Sequence, residues 1–253
     1  MSKVVIEKNG PVKTVWMNRP EKKNALDSEL LSNMIDALQA PVAADDRVIV
    51  IRGKGTVFCA GLDMAERSKT AGAGKASGIE IMLRAIELCP LPVVAVVHGD
   101  AIAGGNELAL HCDIVVASQK ARFGMSLAQV GLAPNWFLAK KLMEVLGPVT
   151  TREMLLLGDP LPATKLHALG LIARCVPADQ LEAEAEKVVG RLANNAPLSL
   201  KAMKALTVRQ LEIRDHIKHD DVDALVVAAM QSQDAQEGMK ARLEKRTAKF
   251  TGK

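Results

Sequence analysis

The chain has 253 residues, 49% of them hydrophobic, and a formal charge of +4; that is ample for a large core and too mild a charge to single out a polyanionic partner. Aromatic residues make up only 2% and tyrosine is absent. This argues against a stacking platform for single-stranded nucleic acid and excludes any mechanism that needs a tyrosine acid.

The first elements read as a hairpin. Residues 4–7 and 12–17 alternate apolar and polar around Asn9-Gly10, a hairpin signal. Asp27 is placed to cap a helix with Leu30, Leu31, Met34, Ile35 and Leu38 on one face, the spacing of an amphipathic helix. Residues 48–52 form a short apolar strand that runs toward the small-residue turn Cys59-Ala60-Gly61. Residues 68–78 carry Gly72, Gly74 and Gly78 among small and polar neighbours and read as a mobile loop. Gly74-Lys75 is not a phosphate loop, since position 69 is lysine and position 76 is alanine.

Residues 79–88 read as a helix, and Pro90 and Pro92 reset the chain for a strand over 93–97. That strand leads through His98-Gly-Asp-Ala-Ile-Ala103 into a helix that opens at Gly104-Gly105, with Glu107 about one turn inside. A helix start offers backbone N–H groups without internal partners, and its dipole favours negative charge. Glycine lets a ligand approach that backbone closely. Two such turns, each giving one N–H, can polarise a carbonyl, with a carboxylate beside it for proton transfer.

From about Pro197 the character changes to two long helical patterns, over 200–213 and 222–243. Strands alternating with helices before that point give an α/β chain of β-β-α or β-α units; periodicity alone also permits an open, doubly wound sheet. The four scattered cysteines, Cys59, Cys89, Cys112 and Cys175, read as reduced, buried apolar residues, with neither a disulfide nor a metal site expected. Neither a signal peptide nor a membrane-spanning run is expected, which makes the cytoplasm the default location.

Several segments together resemble one family. Phe58-Cys-Ala-Gly-Leu-Asp63, the run from Gly99 to Glu107, Cys112-Asp-Ile-Val-Val-Ala-Ser118 and Ala121-Arg-Phe-Gly124 occur in the order seen in the crotonase superfamily, the enoyl-CoA hydratase/isomerase group. Asn18-Arg-Pro-Glu-Lys-Lys-Asn-Ala-Leu26 and Ala168-Leu-Gly-Leu-Ile172 match as well. The resemblance implies a spiral of β-β-α units with roughly perpendicular sheets over residues 1–196. It implies a helical region over 197–253 that joins subunits into a homotrimer or a hexamer.

The resemblance also implies an enzyme acting on an acyl-CoA thioester, with coenzyme A as part of the substrate and no separate cofactor. The backbone N–H groups of Leu62 and Gly104 become the oxyanion hole, and Glu107 the acid/base. Coenzyme A is expected against the main chain at Lys23, Ala25, Ala60, Leu62, Asp63 and Met64, with Lys22 and Lys23 able to meet phosphate. The Asp63 side chain itself reads as a cap for its turn. Phe250 and Lys253 match a C-terminal end that reaches the nucleotide of a neighbouring subunit.

The chain departs from the family pattern at its catalytic groups. Hydratases of the family use two glutamates, and the second falls at Leu127, which cannot move a proton. Some relatives carry an aspartate eight residues further on, where this chain has Asn135. Trp136 replaces a small residue and is expected to trim the acyl pocket. Glu107 is thus left as the obvious ionisable group, expected to be partly buried with a raised pKa. His98, Asp100 and His111 are other candidates, and His111 reads as a packed or solvated histidine. Hydration, a double-bond shift or other enolate chemistry, and a catalytically weak acyl-CoA binder all remain open. Nucleic-acid binding has no motif to support it.

Overall fold

A computed structural model of the chain describes residues 2–66, 78–212 and 216–252. The expected loop over 68–78 lies, except for Gly78, outside the described residues, as do Ile213 and Lys253.

Strands β1 (Val4–Asn9) and β2 (Val12–Met17) form the expected antiparallel hairpin, with Gly10 at φ 53° in its turn. A helix, α1 (Ser28–Gln39), follows. Its cap is Asp27, whose Oδ1 accepts from the Leu30 N–H at 2.9 Å. Next come β3 (Val48–Gly53), α2 (Gly78–Leu88) and β4 (Val93–Val97). Beyond them lie β5 (Ala101–Ile102), α3 (Gly104–His111), β6 (Ile114–Ser118) and β7 (Arg122–Gly124). The chain continues through α4 (Trp136–Arg152), β8 (Leu161–Pro162), α5 (Ala163–Ala168), β9 (Arg174–Val176) and α6 (Leu181–Asn194).

One sheet runs in the order β1-β2-β3-β4-β6-β9, parallel except for the first hairpin; a second runs β5-β7-β8. Residues 48–51 of β3 and all of β4 are unbroken apolar runs because both their faces are covered. Ile49, Ile51, Val93, Ala95 and Val97 join the main core with α1 and α2. Val48, Val50, Val94 and Val96 face the other way, against Leu181, Ala185 and Val189 of α6.

The C-terminal part comprises α7 (Pro197–Leu211), α8 (Asp220–Gln231) and α9 (Gln233–Leu243). Lys204 ties α7 to the core: its buried Nζ donates to Ile86 O (2.9 Å) and Leu91 O (3.2 Å) and pairs with Asp113 Oδ2 at 2.7 Å. The single helix expected over 222–243 is two. Ser232 adopts an extended conformation, and its Oγ accepts from the Ala235 N–H at 3.0 Å, capping a new helix. Ala and Met periodicity runs through this break and hides it. Among the described residues no helix is long and apolar enough to cross a membrane.

Candidate functional site

The first turn is built around Arg19 and Asn24. Asn24 is fully buried and left-handed (φ 54°), a conformation that asparagine tolerates better than most side chains. Its Nδ2 donates to Lys54 O (2.8 Å), Val57 O (2.9 Å) and Phe58 O (3.1 Å), and its Oδ1 accepts from the Arg19 N–H. The Arg19 guanidinium donates to Ala25 O (3.0 Å) and Asp63 Oδ2 (2.7 Å). Asp63 Oδ1 accepts from the Ala65 N–H, so this side chain does cap its turn. The Arg19 guanidinium also holds the Asp63 carboxyl below its ordinary value. Lys22 and Lys23 stand exposed on the loop before α1, while Ala25, Ala60, Leu62, Asp63 and Met64 are half-buried.

These residues come together through short backbone bonds. The Ala60 N–H donates to Lys23 O at 3.0 Å, the Leu26 N–H to Gly61 O at 2.8 Å, and the Asp63 N–H to Leu26 O at 2.9 Å. Leu26 thereby forms a parallel bridge with Leu62. In such a bridge Leu62's own N–H faces away from Leu26.

The second turn meets the first directly. The Ile102 N–H donates to Cys59 O at 2.9 Å, and Cys59 bridges Ala101. A Cβ on Gly61, which has φ +89°, would stand 2.8 Å from Ile102 O and 3.0 Å from the Gly104 nitrogen. Ala103, between them, has φ 49° and ψ −115°, a strained conformation for alanine that costs on the order of 1–3 kcal/mol. It is pinned by its N–H to Gly124 O (2.7 Å) and its own O to the Glu107 N–H (3.0 Å). Among the described residues, neither the Leu62 nor the Gly104 N–H has a hydrogen-bond acceptor.

Glu107 is more enclosed than the partial burial expected from sequence. Its side chain is 0% exposed, and both carboxyl oxygens lack a hydrogen-bond partner. Burial pushes the carboxyl well above its ordinary value of 4.5, with Lys141 opposing and Glu87 reinforcing the shift. His111, one turn on, is packed rather than solvated. Its Nδ1 lies 2.8 Å from Glu107 O and 3.6 Å from Glu107 Oε2. Burial draws the imidazole down from 6.5 to about 3. The ring is therefore neutral at pH 7, its Nδ1–H donates to Glu107 O, and its contacts with Glu107 and with Glu87 Oε1 (4.0 Å) are not ion pairs. Burial pushes Glu87 up as well, but Lys141, 2.6 Å away, outweighs it and leaves the carboxyl below its ordinary value.

This cluster sets a pH dependence. The unfolded chain takes up a proton on His111 near pH 6.5, which the folded chain refuses until about pH 3. Stability from this group is complete above the upper value and is lost as pH falls through the window. Glu107 acts in the opposite sense, costing stability as pH rises above 4.5. His111→Asn should flatten the fall in unfolding free energy between pH 6.5 and 3, measured by urea titration at several pH values. An unchanged slope would show that His111 is not the group responsible.

A cavity of about 640 Å³ opens between α2, α4 and the start of α8. Glu80, Ile81 and Arg84 line it from α2, and Asn135, Trp136 and Phe137 from the start of α4. His219 and Asp223 close the far side. Of the expected site residues, Asn135 and Trp136 face this space. Leu127 does not line it and packs against both the main core and Val130, Leu132 and Ala235. Phe250 stays exposed on the tail beyond α9, where the Thr251 and Gly252 N–H groups donate to Asp234. Glu107 does not line the cavity; Phe137 does, and its ring lies 5.3 Å from His111.

Sequence reasoning missed Glu80, Glu87, Lys141, His219 and Asp223. Glu87 left a signal: it continues the spacing of Ile79 and Leu83 along the buried face of α2, where a charge demands a partner. The others are joined by contacts between distant segments, and nothing local marks them.

A family model described as "Enoyl-CoA hydratase/isomerase" matches residues 7–253. The chain is 30% identical to the 2,3-dehydroadipyl-CoA hydratase of Escherichia coli (strain K12), with 100% of each covered. It is 31% identical to the crotonyl-CoA hydratase of Syntrophomonas wolfei, covering 99% of this chain and 98% of that one. The crystal structure of an enoyl-CoA hydratase from Mycobacterium avium subsp. paratuberculosis K-10 superposes with a TM-score of 0.85 at 31% identity, covering 98% of both chains.

Proposed function

Because this chain belongs to the enoyl-CoA hydratase/isomerase family, whose enzymes act on CoA thioesters, we propose that it stabilises a thioester enolate between the Leu62 and Gly104 N–H groups, with Glu107 as acid/base. The observation that carries this reading is the joint at Gly61, where the turn bearing the acceptor-free Leu62 N–H packs against the helix start bearing the acceptor-free Gly104 N–H, three residues before Glu107 and its buried carboxyl without a hydrogen-bond partner. Each donor aimed at the developing oxyanion is worth roughly 3 kcal/mol in comparable sites.

Burial favours the protonated form of this carboxyl, the form that can donate a proton. As the oxygen of water bonds to the β-carbon and releases one proton to solvent, Glu107 delivers its own proton to the α-carbon, the thioester carbonyl reforms, and Glu107 regains a proton from solvent. For this the acyl group must reach Glu107 from the Phe137 end of the cavity. Coenzyme A would lie along Lys23, Ala25, Ala60, Asp63 and Met64, with Lys22 and Lys23 meeting its phosphates. Phe250 would serve a neighbouring subunit.

Leu127, packed into an apolar cluster, favours a second reading in which a double bond shifts and Glu107 carries one proton between carbons. Turnover of crotonyl-CoA against a 3-enoyl-CoA decides between them. Background rates with both would overturn the enzymatic reading and leave an acyl-CoA binder.

Residues 1–196 would carry the chemistry and 197–253 the assembly. Leu198 is 80% exposed and Leu225 71%, and Met203, Leu206 and Met230 also face out. A homotrimer or a hexamer would cover this apolar surface. Light scattering should return three or six times the chain mass; a monomer at micromolar concentration would contradict it.

A further inference from the structure

We propose that Glu80 is a second acid–base group of this site, held in position by Asn135, and that it takes the proton Leu127 cannot. The proposal rests on the functional reading above and adds a residue to it.

Glu80 sits in the first turn of α2, and that turn touches the start of α3. A Cβ on Gly104 would meet Ile79 Cδ1 at 2.7 Å. Glu80 is the next residue, and it lines the cavity. Its Oε1 accepts from Asn135 Nδ2 at 2.6 Å. The amide has a defined orientation, because Asn135 Oδ1 is already committed to the Leu138 N–H at 3.0 Å. Asn135 therefore presents its donor face to the cavity and fixes the carboxylate there. An aspartate at 135 would set two carboxylates 2.6 Å apart and repel Glu80. The amide thus acts as a positioning residue for an acid that enters from another helix.

Arg84 lies 3.5 Å from Glu87. His219 contacts Asp223 at 2.7 Å and stacks on Trp136 with ring centroids 4.5 Å apart.

In hydration, an O–H bond of water breaks and its proton goes to Glu80 while the oxygen bonds to the β-carbon. The C=C electron pair moves into the thioester as an enolate. Glu107 gives its proton to the α-carbon, the carbonyl reforms, and solvent water returns the proton from Glu80 to Glu107. The elements of one water are added and both carboxyls are restored.

Glu80→Gln tests this, because its amide oxygen can still accept from Asn135. We expect kcat for crotonyl-CoA to fall by about 10²–10⁴, with KM and butyryl-CoA affinity within about threefold of wild type. Glu80→Asp should recover part of the loss, and Asn135→Ala should lower kcat without matching Glu80→Gln. A Glu80→Gln enzyme with wild-type kcat, beside an inactive Glu107→Gln, would overturn the role of Glu80 and leave the functional reading standing. A rise in KM alone would overturn it too, reducing Glu80 to a binding group. A wild-type chain that binds butyryl-CoA but turns over neither crotonyl-CoA nor a 3-enoyl-CoA would overturn both.

Discussion

Glu107→Gln should leave a folded protein that binds acyl-CoA and turns it over about 10²–10⁴-fold more slowly than wild type. The carboxyl is fully buried and has no hydrogen-bond partner. A structural role would normally show as hydrogen bonds that satisfy those oxygens, since leaving them bare in the interior is costly. Burial raises the carboxyl well above its ordinary value and disfavours its charged form, so an amide of the same shape is the substitution that disturbs the buried site least. It does remove the only proton the group can pass to carbon. Steady-state rates with crotonyl-CoA, read beside thermal melting, separate the two contributions. Wild-type rates would contradict the assignment, and a collapse of the fold at neutral pH would show that Glu107 is a packing residue.

Gly61→Ala should damage catalysis through the backbone. The position has φ +89°, and the added methyl would meet Ile102 O at 2.8 Å and the Gly104 nitrogen at 3.0 Å. Neither neighbour is the flexible end of a side chain. The two turns must part, which would shift one of the two amides proposed to hold the thioester oxygen. Losing one such donor costs about 10²–10³ in kcat. The left-handed backbone adds a stability loss of roughly 1–3 kcal/mol, which urea unfolding would register. Activity within a few-fold of wild type, at a temperature where the variant is folded, would mean that the contact at Gly61 does not set the oxyanion geometry.

Much of the scaffold was legible because its signals are local. The hairpin at Asn9-Gly10, the Asp27 cap, the apolar strands over 48–52 and 93–97 and the helix opening at Gly104 each depend on a few adjacent residues. The pairing of β3 with β4 and the covering of their second face by α6 depend on the whole chain. The spiral architecture came from family resemblance. The break at Ser232 is not legible because one serine cap is a weak signal inside a continuous Ala-rich helical pattern.

The candidate site divides in the same way. Gly61, Leu62, Gly104 and Glu107 lie in two compact segments, each readable by itself. The strain at Ala103 was not legible, since alanine gives no sign of a positive φ. Asn24 carries no chemical signal in the sequence, yet four bonds from its side chain hold the first turn in shape. The Glu80–Asn135 pair spans 55 positions. The Lys141–Glu87–His111 cluster behind Glu107 joins three helices. Burial could be guessed for Glu107, but its extent depends on those neighbours.

The most direct measurement is a crystal structure of Glu107→Gln with crotonyl-CoA bound. The thioester oxygen should lie within about 3.2 Å of both the Leu62 and the Gly104 nitrogens, with the acyl chain extending toward Asn135 and Trp136. A thioester oxygen held by other groups, with those two nitrogens facing apart, would contradict the account at its centre.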